Sequence, residues 1–214
     1  MRIALIGASG HIGREIAREA LRRGHTVTAI TRSPGALAAE LPGIAVKTAN
    51  LFDASELSTA VAGNEIIASA FGPSAGDTLG TASVPLAAEA LVTAARSTGI
   101  ERLVVVGGAG SLEIAPGKQL VDSPDFPKAY RDLALAHREA FERLCQAGDL
   151  QWTFFAPAAM IGPGEKLGRY RVGRRALIAD TEGNSRISYA DYADAFVSEL
   201  ENKAYPQEIV TAAY

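Results

Sequence analysis

Met1-Arg2-Ile3-Ala4-Leu5-Ile6-Gly7-Ala8-Ser9-Gly10-His11-Ile12-Gly13 opens the chain, and Ile16, Ala17, Ala20 and Leu21 recur behind it at helical spacing. An apolar run, a glycine-rich turn and an amphipathic helix in that order read as strand, turn and helix. A glycine at the end of a buried strand can reverse the chain with φ > 0, and one at a helix start lets backbone N–H groups close on a phosphate. Gly7 and Gly10 hold those positions. Gly13, one turn into the helix, permits the helix to lie tightly on the sheet. The spacing is Gly-x-x-Gly-x-x-Gly rather than Gly-x-Gly-x-x-Gly, yet a second apolar strand from Thr26 to Ile30 follows on schedule. The stretch predicts a dinucleotide site built from residues 7–13, including Ala8, Ser9, His11 and Ile12.

The end of the second strand bears on which dinucleotide. An NAD site usually places an acid there for the ribose 2′-hydroxyl, whereas an arginine suits a 2′-phosphate. The chain reads Ile30-Thr31-Arg32-Ser33, with no acid between Glu19 and Glu40. Arg32 therefore favours NADP, with NAD as the alternative.

Composition narrows the class. A chain of 214 residues, 48% of them hydrophobic, suits one α/β domain over residues 1–214 with an elaborated C-terminal part. A net charge of −3 gives no electrostatic case for nucleic acid or a membrane surface. No uncharged apolar run is long enough to span a bilayer, and residues 1–30 lack the pattern of a secretory leader, so a cytoplasmic location is expected. Cys145, the one cysteine, sits in a helical pattern and is expected to be buried or half-buried. His11, His25 and His137 are scattered and do not form a recognisable metal set.

Strand and helix continue to alternate. A short helix is expected from Pro34 to Leu41 with Ser33 as its cap, then a strand over 43–47, a helix over 55–61, a strand over 64–69, a helix from Thr78 or Thr81 to Gly99, and a strand over 100–106. Short connections between them predict a doubly wound parallel sheet of Rossmann type with right-handed crossovers. The strand ends of such a sheet line the cofactor crevice. Asn50 and Leu51 then lie toward the adenine, Ala70, Phe71 and Gly72 toward the ribose and pyrophosphate, and Gly107, Gly108 and Pro157 at the last two strand ends.

Two stretches break the rhythm. Residues 107–127 carry glycines and prolines without periodicity and leave the same sheet edge as the cofactor glycines, which makes them a candidate wall or lid. A helix over 128–147 has Tyr130, Leu133, His137, Ala140, Phe141 and Leu144 on one stripe, and Gln151–Ala156 is a sixth strand. Residues 157–188 are again irregular and carry Lys166, Arg169, Arg171, Arg174 and Arg175, a solvated face or a phosphate site. Ser188 caps a last helix with Tyr189, Tyr192 and Phe196 on its stripe, which could face the core or a partner subunit, and 208–212 forms a final strand.

With the glycine motif, Thr31-Arg32, Gly107–Ser111, Trp152-Thr-Phe-Phe-Ala-Pro157, Gly162-Pro163-Gly164-Glu165 and Glu182–Ser188, the whole chain resembles the atypical short-chain dehydrogenase/reductases. Within them it is similar to the NAD(P)H-binding set near NmrA-like proteins, and especially to the group provisionally called NADH-flavin reductases. The resemblance implies a Rossmann fold, an NAD(P)(H) cofactor, a small C-terminal substrate region, and in some relatives the reduction of flavins or quinones.

The wider superfamily moves protons with a Tyr-x-x-x-Lys pair and a serine near the fifth strand. Here Tyr130 is followed four residues on by Ala134, and only Ser111 approaches the serine position. That disfavours an epimerase or alcohol dehydrogenase. Hydride transfer to a conjugated acceptor needs less from the protein, so the expected activity is NADPH-dependent reduction of a flavin, quinone or similar small molecule, with FMN or FAD as candidate substrates. Ser111, Tyr130 and His137 are the candidate proton donors or substrate contacts, each with a bland reading as turn or core residue. A non-catalytic NAD(P) sensor is the alternative function, and a monomer or homodimer is expected.

Overall fold

Buried strands alternate with helices that are apolar on one face, and burying those faces against one another requires a layered α/β sandwich. The computed structural model describes residues 1–35, 37–73 and 78–214. The first half runs β1 (Arg2–Ile6), α1 (His11–Arg22), β2 (Thr26–Thr31), α2 (Leu37–Glu40), β3 (Ala45–Thr48), α3 (Ala54–Val61), β4 (Ile66–Ser69), α4 (Ser83–Thr98) and β5 (Arg102–Val106). The second half adds β6 (Glu113–Ala115), β7 (Lys118–Gln119), α5 (Lys128–Cys145), β8 (Gln151–Pro157), β9 (Met160–Gly162), β10 (Arg171–Arg174), β11 (Arg186–Ser188), α6 (Tyr189–Asn202) and β12 (Glu208–Ala213).

The main sheet has the order β10-β12-β8-β5-β4-β1-β2-β3. Every pairing in it is parallel except β10 with β12. This is the doubly wound Rossmann-like arrangement, with the order reversing between β1 and β4, where such sheets open a crevice. One apolar layer includes Leu57 of α3, Leu91 of α4 and Leu144 of α5, and the other includes Ile16 of α1 and Tyr192 and Phe196 of α6.

Several local expectations change. The helix expected over 34–41 shortens to α2, because Gly35 has a φ of +48° that a right-handed helix cannot hold; position 36 lies outside the described residues. Helix α3 starts one residue early because the Asp53 carboxylate caps the N–H groups of Ser55 and Glu56. The 107–127 stretch is not wholly irregular: β6 pairs antiparallel with β7. In 157–188, β9 pairs parallel with β11. Cys145 is exposed rather than buried, since Leu144 and Ala147 take the inward positions at this end of α5. Tyr192 and Phe196 are fully buried around Phe155, so they serve the chain's own core and not a partner subunit.

A buried ion pair ties the late elements together. Arg102 and Glu199 side chains are 3% and 2% exposed and meet at 2.5 Å. Arg102 also donates to the Gln151 carbonyl and the Thr153 hydroxyl, both at 2.8 Å, while Glu199 accepts from the N–H groups of Ala204 and Tyr205. One cluster thus joins β5, β8 and the end of α6. Removing one partner leaves a buried charge unpaired, which costs about 3–5 kcal/mol. Glu199→Ala is expected to lower stability by that order in urea unfolding, and adding Arg102→Met to it should recover part of the loss.

Candidate functional site

The turn after β1 and the helix that follows leave no room for a side chain at Gly7 or Gly13. Gly7 has a φ of +79°, and a Cβ there would lie 2.5 Å from the Ala70 carbonyl oxygen. A Cβ on Gly13 would lie 2.1 Å from the carbonyl oxygen of Gly7. The first turn of α1 is therefore pressed against the ends of β1 and β4. Gly10 caps α1 without a side-chain hydrogen bond, and the first turn contains no acid. Free N–H groups and the positive end of the helix dipole face outward from a glycine cradle, the arrangement an anionic diphosphate fits.

The remaining sequence-predicted cofactor residues surround this cradle unevenly. Ala8 is buried, while Ser9, Gly10 and His11 are exposed. Arg32 is exposed at the end of β2 and makes no ion pair or hydrogen bond with a described residue. Glu40, the first acid after α1, is committed to Arg14 at 2.9 Å. Asn50 holds a turn, its side-chain oxygen accepting from the Phe52 N–H at 3.1 Å, and Leu51 is buried in the core. Phe52 meets Phe71 edge-on at 5.9 Å, which brings that turn beside the end of β4, where Gly72 is exposed.

A cleft of about 1430 Å³ opens where β5 and β8 end. Gly107, Gly108, Tyr130, His137 and Pro157 all line it, so these five expectations converge on one place. Its apolar lining includes Leu120, Phe126, Leu133, Met160 and Ile161. Tyr130 is 65% exposed and is not a core residue: it stands in the first turn of α5, at the cleft mouth. His137 is packed between Gly108, whose Cβ would come within 2.9 Å of it, and the Phe154 ring. Burial pushes its pKa down to about 4, so its imidazole is neutral at pH 7. Ser111 does not join them; it is 2% exposed, its hydroxyl has no partner, and it is absent from the cleft lining. The short helical turn Ala109–Ser111 rotates it inward.

The basic run does not act as one site. Lys166 binds Glu19 and Asp194, Arg174 binds Glu208 at 2.6 Å, Arg175 faces Glu113, and Arg171 donates to the carbonyls of Ala179 and Tyr214. Burial by itself would raise the Glu19 carboxyl, but hydrogen bonds from Arg22, Arg23 and Lys166 outweigh it and hold the group well below the usual carboxylate range. Only Arg169 of that run lines the cleft, joined there by Arg186.

The structural roles of two residues of the site escaped the sequence reading. Asp191, expected only at the cap of α6, is fully buried and accepts from the N–H groups of Leu167 and Gly168 and from the Tyr214 hydroxyl at 2.7 Å. It thereby pins the 163–169 wall and the end of the chain to the start of α6. Tyr189 stacks on His11 with ring centroids 5.7 Å apart and planes 8° from parallel, joining the glycine turn to the Ser188 side of the cleft. None of these links has a local signal, since each spans more than twenty residues or two helices.

A family model for NAD(P)H-binding proteins matches residues 7–203, and the chain belongs to that family. The uncharacterized protein YwnB of Bacillus subtilis is 37% identical over 99% of this chain and 97% of its own. Among solved structures, a Burkholderia pseudomallei protein provisionally described as exported is 51% identical, with a TM-score of 0.92 and full coverage of both chains. A Bacteroides thetaiotaomicron protein provisionally described as an epimerase is 37% identical, with a TM-score of 0.90 over 100% of this chain and 96% of that one. A Streptococcus pneumoniae protein provisionally described as an NADH-flavin reductase is 33% identical, with a TM-score of 0.86 over 100% and 99%. The fold is thus that of NAD(P)-binding oxidoreductases, and the cofactor class is a nicotinamide dinucleotide. No helix among the described residues is long and apolar enough to cross a membrane, and no group of His, Cys, Asp or Glu among them could hold a metal ion.

Two measurements check this geometry. Gly13→Ala should force the turn apart at a cost of about 1–3 kcal/mol, seen as lower thermal stability together with weaker nicotinamide-dinucleotide binding in calorimetry. His137 should show no NMR titration from pH 8 to pH 5. Its folded pKa lies below the ordinary 6.5, so its contribution to stability is complete above pH 6.5 and is lost as pH falls toward 4.

Proposed function

We propose that the protein is an NADPH-dependent reductase that passes a hydride to a flavin, quinone or similar conjugated acceptor held in the β5–β8 cleft. The observation that carries this reading is the chemistry of the cleft: an apolar lining, a neutral imidazole, and no lysine among the described lining residues. Four residues beyond Tyr130 stands Ala134, buried where a Cβ on Gly110 would come within 2.7 Å of its methyl. Alcohol, carbonyl and epimerase chemistry would thus lack the lysine that lowers a tyrosine pKa. Reduction of an electron-poor ring does not need that pair.

The bound nicotinamide supplies the hydride. Gly7, Gly10 and Gly13 would hold the diphosphate, and Arg32 would take the 2′-phosphate because neither a carboxylate nor a carbonyl of the described residues engages it. Apolar side chains would lay the acceptor flat and exclude water, so that the chain contributes position more than acid–base catalysis. His137, being neutral, offers a hydrogen bond to an acceptor heteroatom and not an imidazolium proton. The proton that balances the hydride comes from solvent or from the Tyr130 hydroxyl at the cleft mouth.

Arg32→Ala is expected to weaken NADPH binding by about ten- to a hundredfold, the worth of one charged hydrogen bond, while NADH binding barely changes. Equal losses for the two nucleotides would overturn the NADP assignment. NADPH oxidation with a panel of flavins and quinones tests the reaction. Tight NADPH binding without turnover of any acceptor would instead support a nucleotide-sensing regulator of the NmrA-like kind.

A further inference from the structure

The wall of the cleft formed by residues 160–169 and 186–188 carries two arginines that the fold itself does not use. Lys166, Arg171, Arg174 and Arg175, close to them in sequence, are each engaged by a carboxylate or a carbonyl. Among the described residues Arg169 and Arg186 make no ion pair and their guanidinium groups have no hydrogen-bond partner, and both line the cleft. Acidic groups that could compete are Asp125 and Glu165, which also line the cleft, and Asp180, whose carboxyl Arg186 lowers through space. None of the three forms an ion pair with either arginine.

Both arginines stand on anchored backbone. Asp191 grips the N–H groups of Leu167 and Gly168 at 3.0 and 2.8 Å, immediately before Arg169. Arg186 belongs to β11, whose register with β9 places it opposite Met160, an apolar residue of the same cleft. A guanidinium presents a planar fork of donors that matches a carboxylate or phosphate in two-point geometry. The volume of about 1430 Å³ exceeds the roughly 300–1,000 Å³ of an ordinary ligand pocket. It leaves space for an acceptor's charged arm in addition to the rings that react.

We infer that Arg169 and Arg186 form an anion-recognition site on the cleft wall, so that the preferred acceptor is an aromatic molecule bearing a carboxylate or phosphate. This rests on the reductase reading and specifies its substrate. The two arginines are specificity residues: they hold the arm and leave the reacting ring against the apolar floor.

The test is equilibrium binding to the full chain saturated with NADP⁺, read by fluorescence. It compares FMN with riboflavin, and a carboxylated naphthoquinone with its methyl ester, for the native protein, Arg169→Ala, Arg186→Ala and the double variant. The native protein should bind at least one anionic probe about tenfold or more tighter than its neutral partner, and each substitution should cut that ratio, the double variant bringing it near one. An unaltered thermal midpoint shows that the variants are folded. Preference for FMN alone assigns the arm as phosphate, and preference for the acid alone assigns it as carboxylate. Equal affinity for charged and neutral probes in the native protein, or an unchanged ratio in folded variants, overturns the anion site while leaving the reductase intact. Failure to bind or reduce any of the four probes removes both.

Discussion

The contact between Gly13 and the Gly7 carbonyl sets the distance from which the rest of the molecule is measured. At 2.1 Å from that oxygen a single Cβ is already too much, so α1 can sit this low on the sheet only with a hydrogen at that position. The consequence is electrostatic as well as steric. A helix whose first turn reaches the sheet edge presents its unpaired N–H groups at the mouth of the crevice, where an anion can reach them. Gly7, turning with positive φ against Ala70, completes the same cradle from the strand side.

The cleft beyond β5 and β8 is built by a different device. Where β5 and β8 end, two excursions leave the sheet, each with one short strand pair of its own, and long-range polar links hold the second to the rest of the fold. Asp191 collects N–H groups from the 167–168 turn together with the Tyr214 hydroxyl, and Lys166 is clamped between Glu19 and Asp194. At the opposite end of the same strands, away from the cleft, the Arg102–Glu199 pair joins β5, β8 and α6. Buried charge is a costly way to make these joins, and it holds only with complete pairing. The Asp191 and Lys166 links hold the 163–169 wall beside an apolar cleft in which His137 stays uncharged.

The sheet and its helices were legible in the chain because their signals are local. A strand buried on both faces, such as Arg102–Val106, is an unbroken apolar run, and Ser188 followed by Asp191 announces the start of α6. Gly7 and Gly13 were legible for the same reason, since a strand precedes the turn and an amphipathic helix follows it. Tyr130 and His137 were not separable by pattern: they share a helix stripe, yet one reaches the open cleft mouth and the other is packed against Phe154. Ser111 seemed available at the end of a glycine loop, and a short helical turn buried it.

Residue order alone determined the alternation of strand and helix, the parallel sheet, and the glycine turn with Arg32 at the next strand end, because period, turn chemistry and steric need are properties of neighbouring residues. Tertiary structure decided which charges are spent and which are free. Lys166 and Arg169 are three residues apart and equally basic, yet one is neutralised by Glu19 and Asp194 while the other is left facing the cleft. The partners that make this difference arrive from helices distant in sequence, and electrostatic pairing depends on distance in space.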